Sequence, residues 1–101
     1  MRRIINSKLY DTETATRIAR RQYSRPGDYE YVSETLYQKE TGELFLHGEG
    51  GTMSNYAEQL DNSSWSGGAA IIPEHDFDVK EWVSKYCDAD TYIKLFGPVA
   101  E

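Results

Sequence analysis

The chain has 101 residues, with 11 Lys or Arg against 17 Asp or Glu, a net charge of −6, and one cysteine. That length suits a single domain able to bury a core unaided, and the lone Cys87 excludes an intrachain disulfide framework and fits a reducing compartment. The longest apolar run, Ala69–Ile72, excludes a membrane-spanning helix.

Arg2 and Arg3 lead through Ile4-Ile5 directly into Asn6-Ser7-Lys8, without the apolar core of a secretory signal. A soluble, cytoplasmic protein is the expectation. Arg2–Tyr10 reads as a short strand or strand pair turning at Asn6-Ser7, anchored by Ile4, Ile5 and Leu9. Asp11 is placed to cap a turn over Thr12–Ala15. Thr16–Tyr23 fits neither period cleanly, and an extended segment is the favoured reading. Its three arginines, Arg17, Arg20 and Arg21, crowd too closely for all to be buried.

Ser24–Asp28 is a loop by composition. After it comes the strongest structural signal in the chain. Two strand-like runs, Tyr29–Gln38 and Glu43–His47, flank Lys39-Glu40-Thr41-Gly42, a tetrapeptide suited to a type I turn with Gly42 in the left-handed conformation of a G1 bulge. If Lys39 faces Glu43, the cross-strand pairs are Tyr37/Phe45, Thr35/His47 and Ser33/Glu49 on one face. Leu36/Leu46 lie on the other, beside Val32 and Leu44. The aliphatic face should meet a helix, and the aromatic face should stay partly wet.

The glycines of His47–Gly51 are expected to break the second strand. Thr52–Leu60 reads as a short helix, with Asn55 and Glu58 at capping-box spacing. Asp61–Gly68 reads as a loop whose Trp65 folds back onto the core. Ala69–Ile72 is the last strand, stopped by Pro73. From Asp76 to Cys87, Val79, Trp82, Val83 and Tyr86 share one helical face, with acids at the start and Lys85 near the end. Asp88 caps a second helix, Ala89–Phe96, which Gly97-Pro98 terminates. The fold class is therefore α+β: a small antiparallel sheet built on the hairpin at about 29–47, with helices at about 76–87 and 89–96 packed on one face.

Charge is unevenly spread. Residues 1–25 carry +5 and residues 26–101 carry −11, a polarity that produces steering fields over a surface. The common reading of such acids is solubility. The basic segment holding Arg2, Arg3, Arg17, Arg20 and Arg21 has two readings: nucleic-acid contact, or pairing with an acidic surface. Without a recognised reading motif, direct DNA binding is not expected.

No constellation for catalysis stands out. His47-Gly48-Glu49-Gly50-Gly51 lacks the lysine and spacing of a phosphate loop, and Glu49 would repel a phosphate. Cys87 sits at a helix C-terminus beside Asp88, where a thiolate is disfavoured. His47, His75 and Cys87 are the candidates for zinc, with Asp76 or Asp78 in support, and neither histidine has a partner at the close spacing of a ligand pair. A non-enzymatic protein without a cofactor is the expectation, and zinc binding is the alternative.

Four blocks stand out as a set: KLYDTETA at Lys8–Ala15, SETLYQKETGELFLHGEGGTMSNYAE at Ser33–Glu58, WSGG-x-x-IIP at Trp65–Pro73, and KEW with DADTYIKLFG towards the end. Together they resemble a family of small proteins encoded on phages and mobile elements of Gram-positive bacteria, some of which look like anti-CRISPR inhibitors. The chain departs from that pattern at Pro73–Asp78, where PEHDFD replaces a more regular helix start. The resemblance implies a protein that binds a CRISPR–Cas effector, Cas9-type first, with or without guide RNA, in the cytoplasm of a bacterial host, as a monomer or small homo-oligomer.

Such effectors hold nucleic acid in arginine- and lysine-rich channels, so carboxylates standing in for phosphates are the expected means of competition. Residues two apart on a strand lie about 6.6 Å from one another on one face. Glu30 and Glu34 would share such a face, with Glu40, Glu43 and Glu49 along the rim and Glu74, Asp76 and Asp78 ahead of the helix. These eight are the candidate partner-binding residues.

Overall fold

A computed structural model describes residues 1–101. Two short strands open the chain, β1 (Arg2–Ile5) and β2 (Lys8–Asp11), paired antiparallel with Ile4 opposite Leu9. Asn6 and Ser7 turn between them at positive φ. The central sheet has four antiparallel strands in the order β3 (Thr16–Tyr23), β4 (Val32–Gln38), β5 (Leu44–Gly50) and β8 (Gly68–Pro73). Between the last two, β6 (Glu58–Gln59) and β7 (Trp65–Ser66) form a two-residue ladder of their own. A 3₁₀ turn over Glu74–Asp76 leads into α1 (Val79–Tyr86) and then α2 (Ala89–Phe96). The α+β class, the antiparallel sheet and the two C-terminal helices are as the sequence predicts.

The β4–β5 register matches the expected pairs: Tyr37 faces Phe45, Leu36 faces Leu46, Thr35 faces His47 and Ser33 faces Glu49. Lys39 N–H donates to the Glu43 carbonyl at 2.8 Å, and Gly42 sits at φ +95°. A Cβ at Gly42 would meet nothing within 4 Å, so substitution there tests chiefly backbone strain. Gly42→Val is expected to lower unfolding free energy by more than ~1 kcal/mol, since a β-branched residue resists positive φ. An unchanged midpoint in urea would refute this account of the turn.

The aliphatic face is the helix face. Leu36, Leu44 and Leu46 bury against Trp82 and Val83 of α1, with Ile72, Phe77, Tyr92 and Leu95 packed around them. Asp78 caps α1 by accepting the Glu81 N–H at 3.1 Å, and Asp88 caps α2 by accepting the Thr91 N–H at 2.8 Å.

Three expectations fail, each for a local reason, and a fourth holds only in part. The aromatic face stays partly wet at Tyr37, His47 and Glu49, but the β1–β2 hairpin covers the rest, so that Tyr10 meets Phe45 edge-on at 5.4 Å and both rings are fully buried with Ile71. The glycines after His47 do not break β5, which stays paired on both sides through Gly50. Gly48 is bare because the Tyr56 ring lies where a Cβ would stand, so this glycine makes room for an aromatic ring. Thr52–Leu60 forms no helix: it makes turns and then β6, and it delivers Tyr56 into the core. Trp65 does not fold back onto the core. It is on β7, and 54% of it remains exposed.

Candidate functional site

The eight candidate carboxylates separate into those the fold uses and those it leaves free. Glu34 belongs to the fold. Strand alternation points it to the helix side of β4, into the layer that α1 covers, and its side chain is only 7% exposed. Arg21 Nε donates to Glu34 Oε1 at 2.8 Å and Trp82 Nε1 donates to the same oxygen at 3.1 Å. The Tyr56 hydroxyl donates to the other oxygen. Burial pushes the Glu34 pKa up, but these three donors and the Arg21 charge outweigh it and hold the carboxyl below its ordinary range. Burial first, and then the same bond, raises the Tyr56 hydroxyl well above its usual range. The expected surface row through Glu30 and Glu34 therefore does not exist. Glu30 lies in the exposed turn before β4, and Glu34 is interior.

Glu43 is also committed internally. It accepts from the Tyr10 hydroxyl at 2.6 Å and pairs with Lys39 at 3.0 Å and Lys8 at 3.9 Å. Burial raises its pKa, and the bonds from Tyr10 and Lys39 with the two lysine charges more than reverse that. Tyr10 is pushed up to about 12, by burial first and then by its bond to Glu43. Lys39 Nζ also stands 3.6 Å from the centre of the Tyr10 ring. Glu74 accepts the Leu44 N–H at 3.2 Å, and Asp78 is the α1 cap. Part of the basic N-terminal segment is spent on this chain's own acids: Lys8 on Glu43, Arg21 on Glu34, and Arg2 on Asp11 at 3.5 Å.

Glu30, Glu40, Glu49 and Asp76 remain exposed. Glu49 accepts a single bond, from the Tyr31 hydroxyl at 3.1 Å. Asp76 has only its neighbour His75 within ion-pair reach, at 3.5 Å. Asp76 opens onto a groove of about 360 Å³ between the start of α1 and the sheet. Asp78 and Glu81 share its rim, Trp82 and Tyr86 form aromatic wall, and Glu34 lies at its base. The Arg21 guanidinium stacks over Tyr86, 4.6 Å from the ring centre. With Glu34 balanced by Arg21, the groove keeps three carboxylates against Lys85. Glu81 is missing from the candidates read from sequence: it sits in the first turn of α1, while Asp76 lies in the 3₁₀ turn ahead of it and Asp78 at the cap.

His47, on β5, is half-buried. Burial holds it below the ordinary range, helped by the N-terminal ammonium and opposed by Glu49. Cys87 closes α1, where burial and then Asp88 push the thiol up, against use as a nucleophile. His75 is exposed ahead of α1. No three His, Cys, Asp or Glu side chains, His47, His75 and Cys87 included, converge in a metal-holding arrangement in this structure. No helix is long and apolar enough to cross a membrane.

No protein-family model, curated protein or solved structure matches the chain. The site is therefore read from its own geometry.

Proposed function

We propose that this chain works by binding, as an inhibitor of a CRISPR–Cas effector of Cas9 type, and that its partner surface is cationic. The observation that carries the reading is the groove at the start of α1, where Asp76, Asp78 and Glu81 stand beside Trp82 and Tyr86. Carboxylates accept from guanidinium and ammonium groups, and flat rings stack on guanidinium. Arg21 already demonstrates that chemistry on Tyr86 and Glu34 within the chain. A second arginine or lysine, brought by an effector's nucleic-acid channel, is the guest the groove fits. Exposed Glu30, Glu40 and Glu49 extend the negative field and steer the encounter. The choice of a CRISPR effector as partner comes from the sequence resemblance.

Co-purification with Cas9-type effectors, with and without guide RNA, tests the partner, and a DNA-cleavage assay tests inhibition. Asp76→Lys with Glu81→Lys is expected to weaken inhibition by ~100-fold or more, since each charge-assisted contact contributes on the order of 1.5–3 kcal/mol. Both residues are exposed, so folding should change by no more than ~1 kcal/mol for each. Added salt should weaken inhibition as well, because screening acts over about 8–10 Å. Inhibition that survives the double reversal at high salt would overturn the cationic-groove reading.

A further inference from the structure

The central sheet has two outer strands, and the fold treats them differently. β3 carries Arg17, Arg20 and Arg21 and is interrupted by a bulge between Arg17 and Ala19. Charges and bulges are the usual protection against an added strand. β8 has neither. Its sequence, Gly68-Ala69-Ala70-Ile71-Ile72-Pro73, is uncharged, and it pairs with β5 over six consecutive residues without a shift.

Ladder parity shows which backbone groups β8 leaves over. Lys39 and Glu43 bond across the hairpin, so alternation directs Leu44, Leu46 and Gly48 away from β4 and towards β8. The Leu44 N–H confirms that direction by donating to Glu74. Opposite them, Ala70 and Ile72 bond inward to β5. Ala69 and Ile71 therefore direct N–H and C=O outward. No strand pairs with β8 on that side, and neither residue takes part in any backbone bond outside the ladders.

From this edge we infer that β8 is a docking strand, which takes an extended basic segment of a partner protein as a fifth strand of the sheet. The inference rests on the reading of a cationic partner given under the proposed function. Charge at the two ends of β8 selects that occupant. The Glu58 side chain lies against Gly68 at the start, within 2.9 Å of where a Cβ would be. Exposed Asp76 follows Pro73 at the other end, beyond Glu74, which is turned inward to the Leu44 N–H. A second copy adding its own β8 antiparallel would bring Asp76 towards Glu58 at both ends and set acid against acid. A strand with lysine or arginine at each end satisfies both. Ala69 and Ala70 are small, which leaves space beside them for β-branched side chains of the guest.

The probe is a blocked nonapeptide, Lys-Lys-Thr-Val-Thr-Val-Thr-Lys-Lys, with the Glu-flanked and Val→Pro versions as controls. Amide hydrogen exchange of the full chain is followed by NMR. The lysine-flanked peptide is expected to slow exchange at Ala69 and Ile71 by about tenfold or more while both controls leave it unchanged. Ala69→Pro removes an outward donor and keeps the β5 ladder, so Leu46 and Gly48 should stay protected while the peptide effect disappears. Equal protection by the Glu-flanked peptide, or none by the lysine-flanked one, would overturn the inference. So would a dimer in sedimentation that Ala69→Pro dissolves. The two readings fail separately. Peptide protection without inhibition of any effector would sink the function and leave the edge standing. Inhibition lost in Asp76→Lys/Glu81→Lys but kept in Ala69→Pro would sink the edge as the inhibitory contact.

Discussion

Glu34→Ala is expected to destabilise the protein by ~3–5 kcal/mol, the range for removing one partner from a buried ion pair. The carboxylate holds Arg21, Trp82 and Tyr56 at once. Its loss leaves a guanidinium, an indole N–H and a phenol hydroxyl without their acceptor beneath α1. Against a total stability of about 5–15 kcal/mol, that is a large fraction for a chain this small. Glu34→Gln keeps the shape and one acceptor oxygen and should cost less. Urea unfolding of both variants, in a cycle with Arg21→Met, checks the assignment: the Glu34 and Arg21 losses should be strongly non-additive. The pH dependence has a definite sign. A depressed folded-state pKa means that the Glu34 contribution is present above the unfolded value of about 4.3 and is lost as pH falls below it. Wild-type stability should fall through that acid range, and the slope should flatten in Glu34→Ala. A loss under ~1 kcal/mol with an unchanged acid slope would show that the network is not structural.

That prediction marks where the sequence was legible and where it was not. The hairpin register was readable to the residue because three independent signals agreed: Gly42 in the turn, alternation on both strands, and compatible pairs across them. The strand bounds were not, since β4 begins at Val32 and not Tyr29, and β5 runs to Gly50 and not His47. The helices were readable because Val79, Trp82 and Val83 recur at helical spacing and Asp88 stands at a cap, although α1 begins at Val79, capped by Asp78, and not at Asp76 as expected. Tyr56 was not readable. Its burial depends on the notch at Gly48, eight positions earlier in the chain and on another element, and no local period records such a pairing. Glu34 was misplaced for the same reason. The sequence reading set it in a surface row with Glu30, because a carboxylate is expected outside, although alternation from Leu36 carries it to the helix face. Only the arrival of Arg21, Trp82 and Tyr56 from three other segments makes the interior tolerable. The groove was half legible, since Asp76 and Asp78 were visible as acids before a helix and the aromatic wall beside them is tertiary.

Trp82→Ala is expected to cost ~3–5 kcal/mol through lost packing. Trp82 is 7% exposed, packs with Leu36, Leu44, Leu46 and Val83, and meets the Tyr86 ring at 5.2 Å. Trp82→Phe separates its two roles: the ring remains in the core, while the N–H to Glu34 is lost, at about 1–3 kcal/mol for a buried acceptor left short of a donor. Chemical denaturation should therefore rank the wild type above Trp82→Phe and Trp82→Phe above Trp82→Ala. Because Trp82 lines the groove from inside and Tyr86 from its edge, the pair also divides structure from binding. Tyr86→Ala should change stability less than Trp82→Ala and inhibition more than Trp82→Phe. A Trp82→Ala protein that unfolds at the wild-type urea concentration and no longer inhibits would reverse the assignment, making Trp82 a contact to the partner and the core beneath α1 self-sufficient.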